Sequence, residues 1–214
     1  MKLISIWRVL FRMFRIVEKS EAMKIAEKQS EKRRAILDAS LKLFCESCFY
    51  DTSTASISQA ANVGTGTLFC YFDSKEHLVN ELYLECKDEF ATYIETGVWE
   101  HPTFKLQLKH IFERTVSWYT GNPDKIKFMM QYCTSPLITG LTREKAVLRM
   151  SVVSDVVKKA FETGELTSGN RDLTAHAISA YFHQMSMYLQ EHAESHNLKK
   201  HQEEAFSLIW KGLN

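Results

Sequence analysis

Proline and glycine are scarce in this chain, with 3 and 8 residues among 214. This scarcity excludes a collagen-like repeat and argues against a disordered low-complexity chain. The 45% hydrophobic and 25% charged residues are typical of a globular protein that buries a full core without metal or disulfide staples. Cysteine is odd in number, five in all, which argues against structural bridges and predicts a reducing compartment, the cytoplasm.

Long uncharged hydrophobic runs are also missing. The apolar stretch at residues 3–17 contains Arg8, Arg12 and Arg15, whereas a membrane-spanning helix needs about 20 largely uncharged residues. The same arginines fall too deep within the apolar region for a secretory signal. The stretch therefore predicts neither a spanning helix nor a cleaved signal peptide.

Two interpretations of this first segment remain open. Together with Lys19, its three arginines share one helical face opposite an apolar face, which is the pattern of a basic amphipathic helix on a membrane surface. Alternatively, residues 1–22 precede a working start at Met23. In either case we assign residues 1–30 to an N-terminal extension.

Net charge is close to zero, because 27 basic residues oppose 26 acidic ones. No global excess indicates a polyanionic partner, so any nucleic-acid site must be local. The first 50 residues contain eleven basic and six acidic residues, a net charge of +5, and the remainder carries −4. A basic head before a mildly acidic body fits a small DNA-binding domain joined to a larger domain.

Apolar residues recur with the period of a helix from residue 31 onward, and no alternating strand pattern competes. Clusters of Gly, Pro, Asn, Asp and Ser interrupt the pattern at eight places, which predicts an all-α chain of about nine helices. The breaks fall at residues 48–52, 62–64, 73–74, 97–102, 121–123, 135–140, 164–170 and 195–197. The first three helices are short, so we expect a compact head at residues 31–74 and a helical bundle at residues 75–214.

Residues 53–72, STASISQAANVGTGTLFCYF, predict two short helices separated by a tight turn. Ser53 or Thr52 can cap the first helix, and Asn62 suits the turn because it tolerates a left-handed backbone. The residues expected on the inner face of the first helix are Ile57, Ala60 and Ala61. The second helix starts at Gly64-Thr65-Gly66, where missing side chains let the backbone approach a phosphate. The pair is typical of a helix-turn-helix.

Three successive segments resemble the TetR family of homodimeric transcriptional repressors. Residues 34–44 are similar to its first helix, residues 52–63 to its second, and residues 66–78 to its recognition helix and the entry into the fourth. The resemblance implies an all-α fold, with an N-terminal three-helix DNA-binding domain followed by a C-terminal bundle for ligand binding and dimerisation. It also implies that the partner is an operator in double-stranded DNA.

Five positions depart from the family pattern. Cys48 stands where a glycine usually ends the first helix, so either a positive φ there costs about 1 kcal/mol or the turn differs from the family's. Asn62 replaces a turn glycine, and Gly64 replaces a capping serine. Thr65 and Phe69 stand where lysine and tyrosine are frequent, and both changes remove polar reach toward DNA. We therefore expect poor direct base recognition, limited to methyl contacts with thymine.

The resemblance also implies which residues meet DNA. Tyr71 and Lys75 would hold phosphates on either side of the groove through the hydroxyl and the ammonium, with help from the amide of Thr67. Phe72 is expected in the core instead. The full set expected at the interface is Thr52, Ser53, Gly64, Thr65, Gly66, Thr67, Phe69, Cys70, Tyr71, Lys75, Arg33 and Arg34, with Lys32 beside the two arginines.

Residues 75–214 contain no nucleophile elbow, P-loop or HExxH motif, so we expect no enzymatic activity and no cofactor. Aromatic residues and methionine are more abundant at residues 104–161 than packing requires, and methionine adapts to irregular apolar ligands. This abundance predicts a pocket for a small hydrophobic or amphipathic effector, although a simple core has the same composition. The expected lining residues are Trp118, Phe128, Met129, Tyr132, Phe182 and Met185.

The last two helical segments, residues 173–190 and 198–213, each carry an apolar face. By the resemblance, the two segments form a four-helix interface between two copies of the chain. Some residues of these faces must belong to the intramolecular core instead. The leading hypothesis is thus a homodimeric repressor that a small hydrophobic effector releases from DNA.

Two smaller constellations offer a different class of function. Cys45 and Cys48 have the spacing of a redox pair or half a zinc site, and His192 and His196 lie four residues apart. They leave open a metal- or thiol-responsive switch on the same scaffold, although buried thiols and a polar helix end explain them more simply. We therefore assign no metal site. A helical lipid-binding protein with a purely structural head is the third alternative.

Overall fold

The computed structural model describes residues 2–193 and 197–213, with side chains from Glu27 onward. Within these residues the chain forms ten α-helices, one 3-10 helix and no strand, which confirms the all-α prediction. Clustering divides the chain into two compact units, one ending at Leu78 and the other beginning at Val79. This division lies four residues beyond the predicted boundary.

The first unit contains α1 (Lys2–Asp51), α2 (Thr54–Ala60), α3 (Thr65–Tyr71) and the start of α4 (Lys75–Glu95). The remaining elements belong to the second unit. They are a 3-10 helix (Val98–Glu100), α5 (Phe104–Gly121), α6 (Pro123–Tyr132), α7 (Gly140–Arg149), α8 (Val152–Thr163), α9 (Arg171–Glu191) and α10 (Leu198–Gly212).

The helix count exceeds the predicted nine because α7 and α8 are separate. Met150 leaves the helical conformation with φ −100° and ψ 40°, and Ser151 caps the start of α8. The buried side chains of Val152 and Val153 follow directly. Neither glycine nor proline marks this break, so composition alone did not predict it.

The first helix is much longer than expected. α1 continues from Lys2 to Asp51, so no break separates residues 2–30 from the head. Its one interruption is at Cys48, where φ is 62° and ψ is 175°. This is the position where the family pattern has a glycine, and of the two alternatives the structure has the positive φ rather than a different turn. The amphipathic face predicted for residues 3–19 lies outside the described side chains.

The head core is built from apolar side chains of all three helices. Ile36 and Phe44 of α1 and Leu68 of α3 are fully buried. The inner face of α2 differs from the prediction, because Ala60 is exposed and Ala61 only half-buried. Beside Ile57, the buried neighbour is Ser58, whose hydroxyl donates to the Thr54 carbonyl at 2.8 Å.

The second unit is centred on α5, which packs against α8, α9 and α10, while α9 also packs against α8 and α10. Phe112 of α5 lies between α9 and α10. Its ring centroid is 5.0 Å from that of Phe182 and 6.2 Å from that of Phe206. Among the described residues, no helix is long and apolar enough to cross a membrane. Helices α4, α5, α6 and α9 contribute the cavity lining described below.

Candidate nucleic-acid interface and ligand cavity

The turn between α2 and α3 has the predicted helix-turn-helix geometry. Ser53 caps α2, since its Oγ accepts a hydrogen bond from the Ser56 amide at 3.0 Å and the Ser56 Oγ accepts one from the Ser53 amide at 3.2 Å. Asn62 has φ 52°, the left-handed conformation expected for the turn. Gly64 then caps α3 from an extended conformation, as predicted.

One face of α3 is exposed and the other is anchored in the head. Leu68 of α3 and Phe72, which caps its end, are buried, and this agrees with the core position expected for Phe72. Phe69 is 46% exposed although it is a large apolar side chain. The exposed predicted residues of this face are Thr65, Gly66, Phe69 and Cys70, with Tyr71 half-buried beside them.

Two of the groups expected to contact phosphates have hydrogen-bond partners within the head. Thr52 is only 3% exposed, and its hydroxyl donates to the Cys48 carbonyl at 2.6 Å. The amide of Thr67 donates to the Gly64 carbonyl at 2.8 Å. Both groups are therefore occupied inside the head, where they stabilise the ends of α1 and α3. Sequence could not reveal this, because a threonine in a turn serves a cap and a phosphate equally well.

Lys75, at the start of α4, has a structural role in the head. Its ammonium donates to the carbonyls of Phe49 at 2.8 Å and Thr52 at 2.9 Å. It also lies 4.0 Å from the centroid of the Phe49 ring. Two of its three N–H groups are thus engaged, which leaves one for a phosphate. The predicted contact with DNA stays a prediction.

The arginines before the head core are held by neighbouring side chains. The guanidinium of Arg33 lies 5.6 Å from the centroid of the Phe72 ring. Arg34 donates through Nε to an Asp38 carboxylate oxygen at 3.1 Å, and both side chains are largely exposed. Arg33 is thus half-buried against the head core, whereas Arg34 lies on the exposed surface of α1.

A cavity of about 240 Å³ opens among α4, α5, α6 and α9. Its lining consists of Lys87, Phe90, Tyr119, Ile126, Met129, Met130, Cys133 and His183. A neighbouring cavity of about 160 Å³ shares Phe90, Tyr119 and His183 with it and is otherwise mostly apolar. The bundle therefore contains two adjacent, mostly apolar cavities, in keeping with its aromatic and methionine content.

Most of the residues predicted to bind the effector divide between the cavities, an open groove and the core. Met129 lines the larger cavity and Phe182 the smaller, while Trp118 faces an open groove on the other side of α4. Phe128, Tyr132 and Met185 line neither these two cavities nor the groove. Phe128 and Tyr132 stack on each other at 4.7 Å and are buried in the core.

Helix periodicity explains why α6 divides in this way. Ile126, Met129, Met130 and Cys133 are spaced by three, one and three residues, so they share the face that lines the cavity. Phe128 and Tyr132 are four residues apart on another face. Sequence composition identified the correct helix, but only its rotation in the bundle decides which residues reach the cavity.

The polar residues of the cavity were missing from the predicted site. Tyr119 hydroxyl and His183 Nδ1 are 2.5 Å apart. Burial raises the pKa of Tyr119, so the phenol keeps its proton at neutral pH. Burial, and then the charge of Lys87, lower the pKa of His183, which favours the neutral imidazole. The tautomer of that imidazole decides which of the two groups donates.

Lys87 is the third polar residue that the prediction missed. Burial lowers the pKa of its ammonium. The sequence could have indicated that Lys87 faces the cavity. Lys87 falls four residues after Tyr83 and three before Phe90, on the apolar stripe of α4. A lysine within such a stripe faces the interior, where it needs a specific partner.

The paired cysteines and histidines of the sequence do not form a metal-binding group among the described residues. None of the five cysteines forms a disulfide within the described residues, and Cys45 is buried while Cys48 is exposed. His192 contacts the Tyr188 carbonyl through Nδ1 at 2.7 Å, and His196 lies outside the described residues. Within the part of the chain that the structure describes, no three metal-ligating side chains form a group.

The apolar residues of α9 and α10 divide between core and surface. Leu189, Ala205 and Phe206 are buried within the unit. On the surface, Leu173 is 67% and Leu208 65% exposed. The further exposed members of the predicted face on α9 are Ala177, Ala180 and Tyr188.

Comparisons with known proteins agree with this architecture. A family model described as bacterial regulatory proteins of the tetR family matches residues 36–82. The Fatty acid metabolism regulator protein of Bacillus subtilis (strain 168) is 26% identical over 87 residues, which are 41% of this chain and 45% of that protein. The HTH-type transcriptional regulator HbdR of Aromatoleum sp. (strain CIB) is 36% identical over 63 residues, 29% of this chain and 26% of that protein. The chain thus spans less than half the length of these curated relatives.

Two solved structures are similar over nearly their full length. The transcriptional regulator FadR from Bacillus subtilis in complex with stearoyl-CoA has a TM-score of 0.71 at 18% sequence identity. The match covers 85% of this chain and 99% of that chain, and it supports the fold. A TetR family transcription regulator from Shewanella sp. PV-4 has a TM-score of 0.75 at 30% identity, covering 85% of this chain and 97% of its own. Because this last match includes both head and bundle, the chain belongs to the TetR family of transcriptional regulators.

Proposed function

We propose that the protein is a homodimeric repressor that leaves its operator when a long-chain acyl effector enters the bundle. The observation that carries this proposal is the cavity of about 240 Å³, with its apolar extension, in a member of a DNA-binding family. The acyl class is chosen because one relative is named for fatty acid metabolism and a structural neighbour holds stearoyl-CoA.

The exposed face of α3 is the proposed DNA-reading surface. Thr65 and Phe69 offer methyl and aromatic groups but no bidentate donor or acceptor pair, so direct discrimination of G or A is weak. We therefore expect operators rich in A·T, with part of the specificity from groove shape. A G·C-rich operator that tolerates no base change would contradict this expectation.

Dimerisation through α9 and α10 is supported by their exposed apolar residues. A soluble monomer gains nothing from exposing Leu173 and Leu208, whereas a second copy of the same surface would bury them. Two heads in one dimer would then meet half-sites about one helical turn, ~34–36 Å, apart.

Helix α4 is the proposed route from effector to DNA. It carries Lys75 at its first residue and contributes Lys87 and Phe90 to the cavity lining. An effector that shifts α4 alters the position of Lys75, and the two binding sites are then coupled by ~1–3 kcal/mol.

The experiment that tests this function starts with selection of genomic fragments bound by the purified protein. The affinity for palmitoyl-CoA is then measured by calorimetry with and without the selected operator duplex. By linkage, the operator must weaken palmitoyl-CoA binding by the same factor, ~5–150-fold, by which palmitoyl-CoA weakens operator binding. If palmitoyl-CoA binds with equal affinity in the presence and absence of the operator, release of DNA by the effector is overturned, even if palmitoyl-CoA binds tightly.

A further inference from the structure

Lys87 is a cation turned toward the interior of the bundle without a counter-charge. Its ammonium lies 5.6 Å from the centroid of the Tyr83 ring. Among the described residues, no carboxylate lies within ion-pair distance of Lys87. Burial of an unpaired cation costs free energy, and its lowered pKa reflects that cost. Such a residue is expected to have a partner in the functional state.

The position of Lys87 suits a ligand that is part apolar and part charged. Lys87 and Cys133 line both the cavity of about 240 Å³ and an adjoining open groove of about 500 Å³. Lys87 therefore lies where the cavity meets the groove. The groove also contains Arg143 and His176, and among the described residues neither space is lined by an Asp or a Glu.

His183 is a second polar residue near the same point. Its Nδ1 lies 2.5 Å from the Tyr119 hydroxyl, and when that hydroxyl donates, the neutral ring carries its proton on Nε2. His183 lines the cavity together with Lys87, and the Lys87 charge is close enough to affect its pKa. One cation and one imidazole thus belong to the lining of one cavity.

We propose that Lys87 binds the anionic head group of an acyl effector whose chain fills the cavity, with His183 Nε2–H as a second donor. This inference rests on the acyl effector of the proposed function and adds the residue that selects its head group. The anion is either the carboxylate of a free fatty acid or a phosphate of an acyl-CoA. Arg143 in the groove provides a further cation for the larger head.

The test compares Lys87→Met, Lys87→Arg and the control Lys158→Met, which removes an exposed lysine on α8. Calorimetry with the full chain measures the affinity for palmitate, palmitoyl-CoA and the uncharged hexadecan-1-ol. We expect Lys87→Met to lower the affinity for an anionic ligand at least ~10-fold and to leave the affinity for hexadecan-1-ol within about twofold of the parent value. Lys87→Arg should retain most of the affinity, and Lys158→Met all of it.

The outcomes distinguish a carboxylate from a phosphate as the anion that Lys87 binds. They also distinguish failure of the Lys87 role from failure of the acyl effector. A loss confined to palmitate supports a carboxylate partner, and a loss confined to palmitoyl-CoA supports a phosphate partner. If Lys87→Met binds both anionic ligands as the unchanged protein does, the role of Lys87 is overturned while the acyl effector survives. If the unchanged protein binds neither anionic ligand, the acyl effector itself is wrong and the inference falls with it. Retained binding of hexadecan-1-ol shows that Lys87→Met is folded.

Discussion

Two residues of the head hold backbone conformations that most side chains avoid. Asn62 has φ 52°, which asparagine tolerates because its short polar side chain can bond locally. Cys48 combines φ 62° with ψ 175°, a region that is almost exclusive to glycine. The cysteine side chain is exposed, so no packing compensates the strain.

We expect Cys48→Gly to stabilise the protein by about 1 kcal/mol. Relief of strain of ~1–3 kcal/mol exceeds the ~0.5–1 kcal/mol that glycine loses through the freedom of the unfolded chain. Urea unfolding, followed by circular dichroism, measures the change. The matched control Cys48→Ala keeps the strained backbone and should unfold within about 0.5 kcal/mol of the parent. Equal gains from both variants would point to the thiol rather than to φ.

Gly66 lies in the first turn of α3, and an added Cβ would meet no atom within 4 Å. Gly66→Ala should therefore stabilise the head by ~0.5–1 kcal/mol, because alanine is the better helix former. If the backbone approaches a phosphate there, the same methyl group should weaken operator binding about tenfold. Gel-shift titration measures the loss. Gly121→Ala at the end of α5 has equal space and should leave binding unchanged.

At the scale of elements, one side chain joins the end of α1 to the start of α4. The Lys75 ammonium bonds two carbonyls of the residues that follow the Cys48 kink. Charge-assisted hydrogen bonds of this kind contribute ~1.5–3 kcal/mol each in favourable cases. The position of α4 relative to the end of α1 within the head thus depends on Lys75.

Lys75→Ala should change stability and DNA binding together. Loss of both hydrogen bonds is expected to lower the free energy of unfolding by about 3 kcal/mol, the low end of that range for two bonds. If the remaining N–H holds a phosphate, affinity falls alike for all sites and the slope of log K against log salt decreases by about 1. Lys42→Ala, an exposed change on α1, serves as the control. Lower stability with an unchanged salt slope would make Lys75 a structural residue alone.

At the scale of the whole molecule, the exposed apolar face of α9 is the proposed dimer interface. Leu173, Ala177, Ala180 and Tyr188 recur every three to eight residues along it, so they form one stripe. Small alanines near its middle permit close approach of a second helix. The stripe is therefore the part of the protein where a charge is least tolerable in a dimer.

Ala180→Arg should convert the protein to a monomer at micromolar concentration. The arginine adds a desolvated charge and bulk, repeated on both copies by symmetry. Sedimentation equilibrium measures the molecular mass. Leu141→Arg changes a side chain on α7 that is also exposed, and it should leave the mass unchanged. A monomeric parent, or a dimeric Ala180→Arg variant, would contradict the proposed interface.

Local signals in the sequence determined the head. Four features of the head each depend on a few neighbouring residues: the capping of α2 by Ser53, for which the sequence also allowed Thr52, the left-handed turn at Asn62, the start of α3 after Gly64 and the core position of Phe72. Short-range sterics and hydrogen bonds decide such features, so residue types alone predicted them. The break at Met150 escaped because no glycine or proline marks it.

Only the tertiary structure decided which residues face one another. Composition predicted a cavity, but the rotation of α6 assigned Met129 to its wall and Phe128 to the core. Thr52 in the head was turned inward by the same kind of long-range packing. Lys87 on α4 and His183 on α9 line the same cavity, although they are nearly 100 residues apart in sequence. Periodicity within one helix carries no information about such pairs.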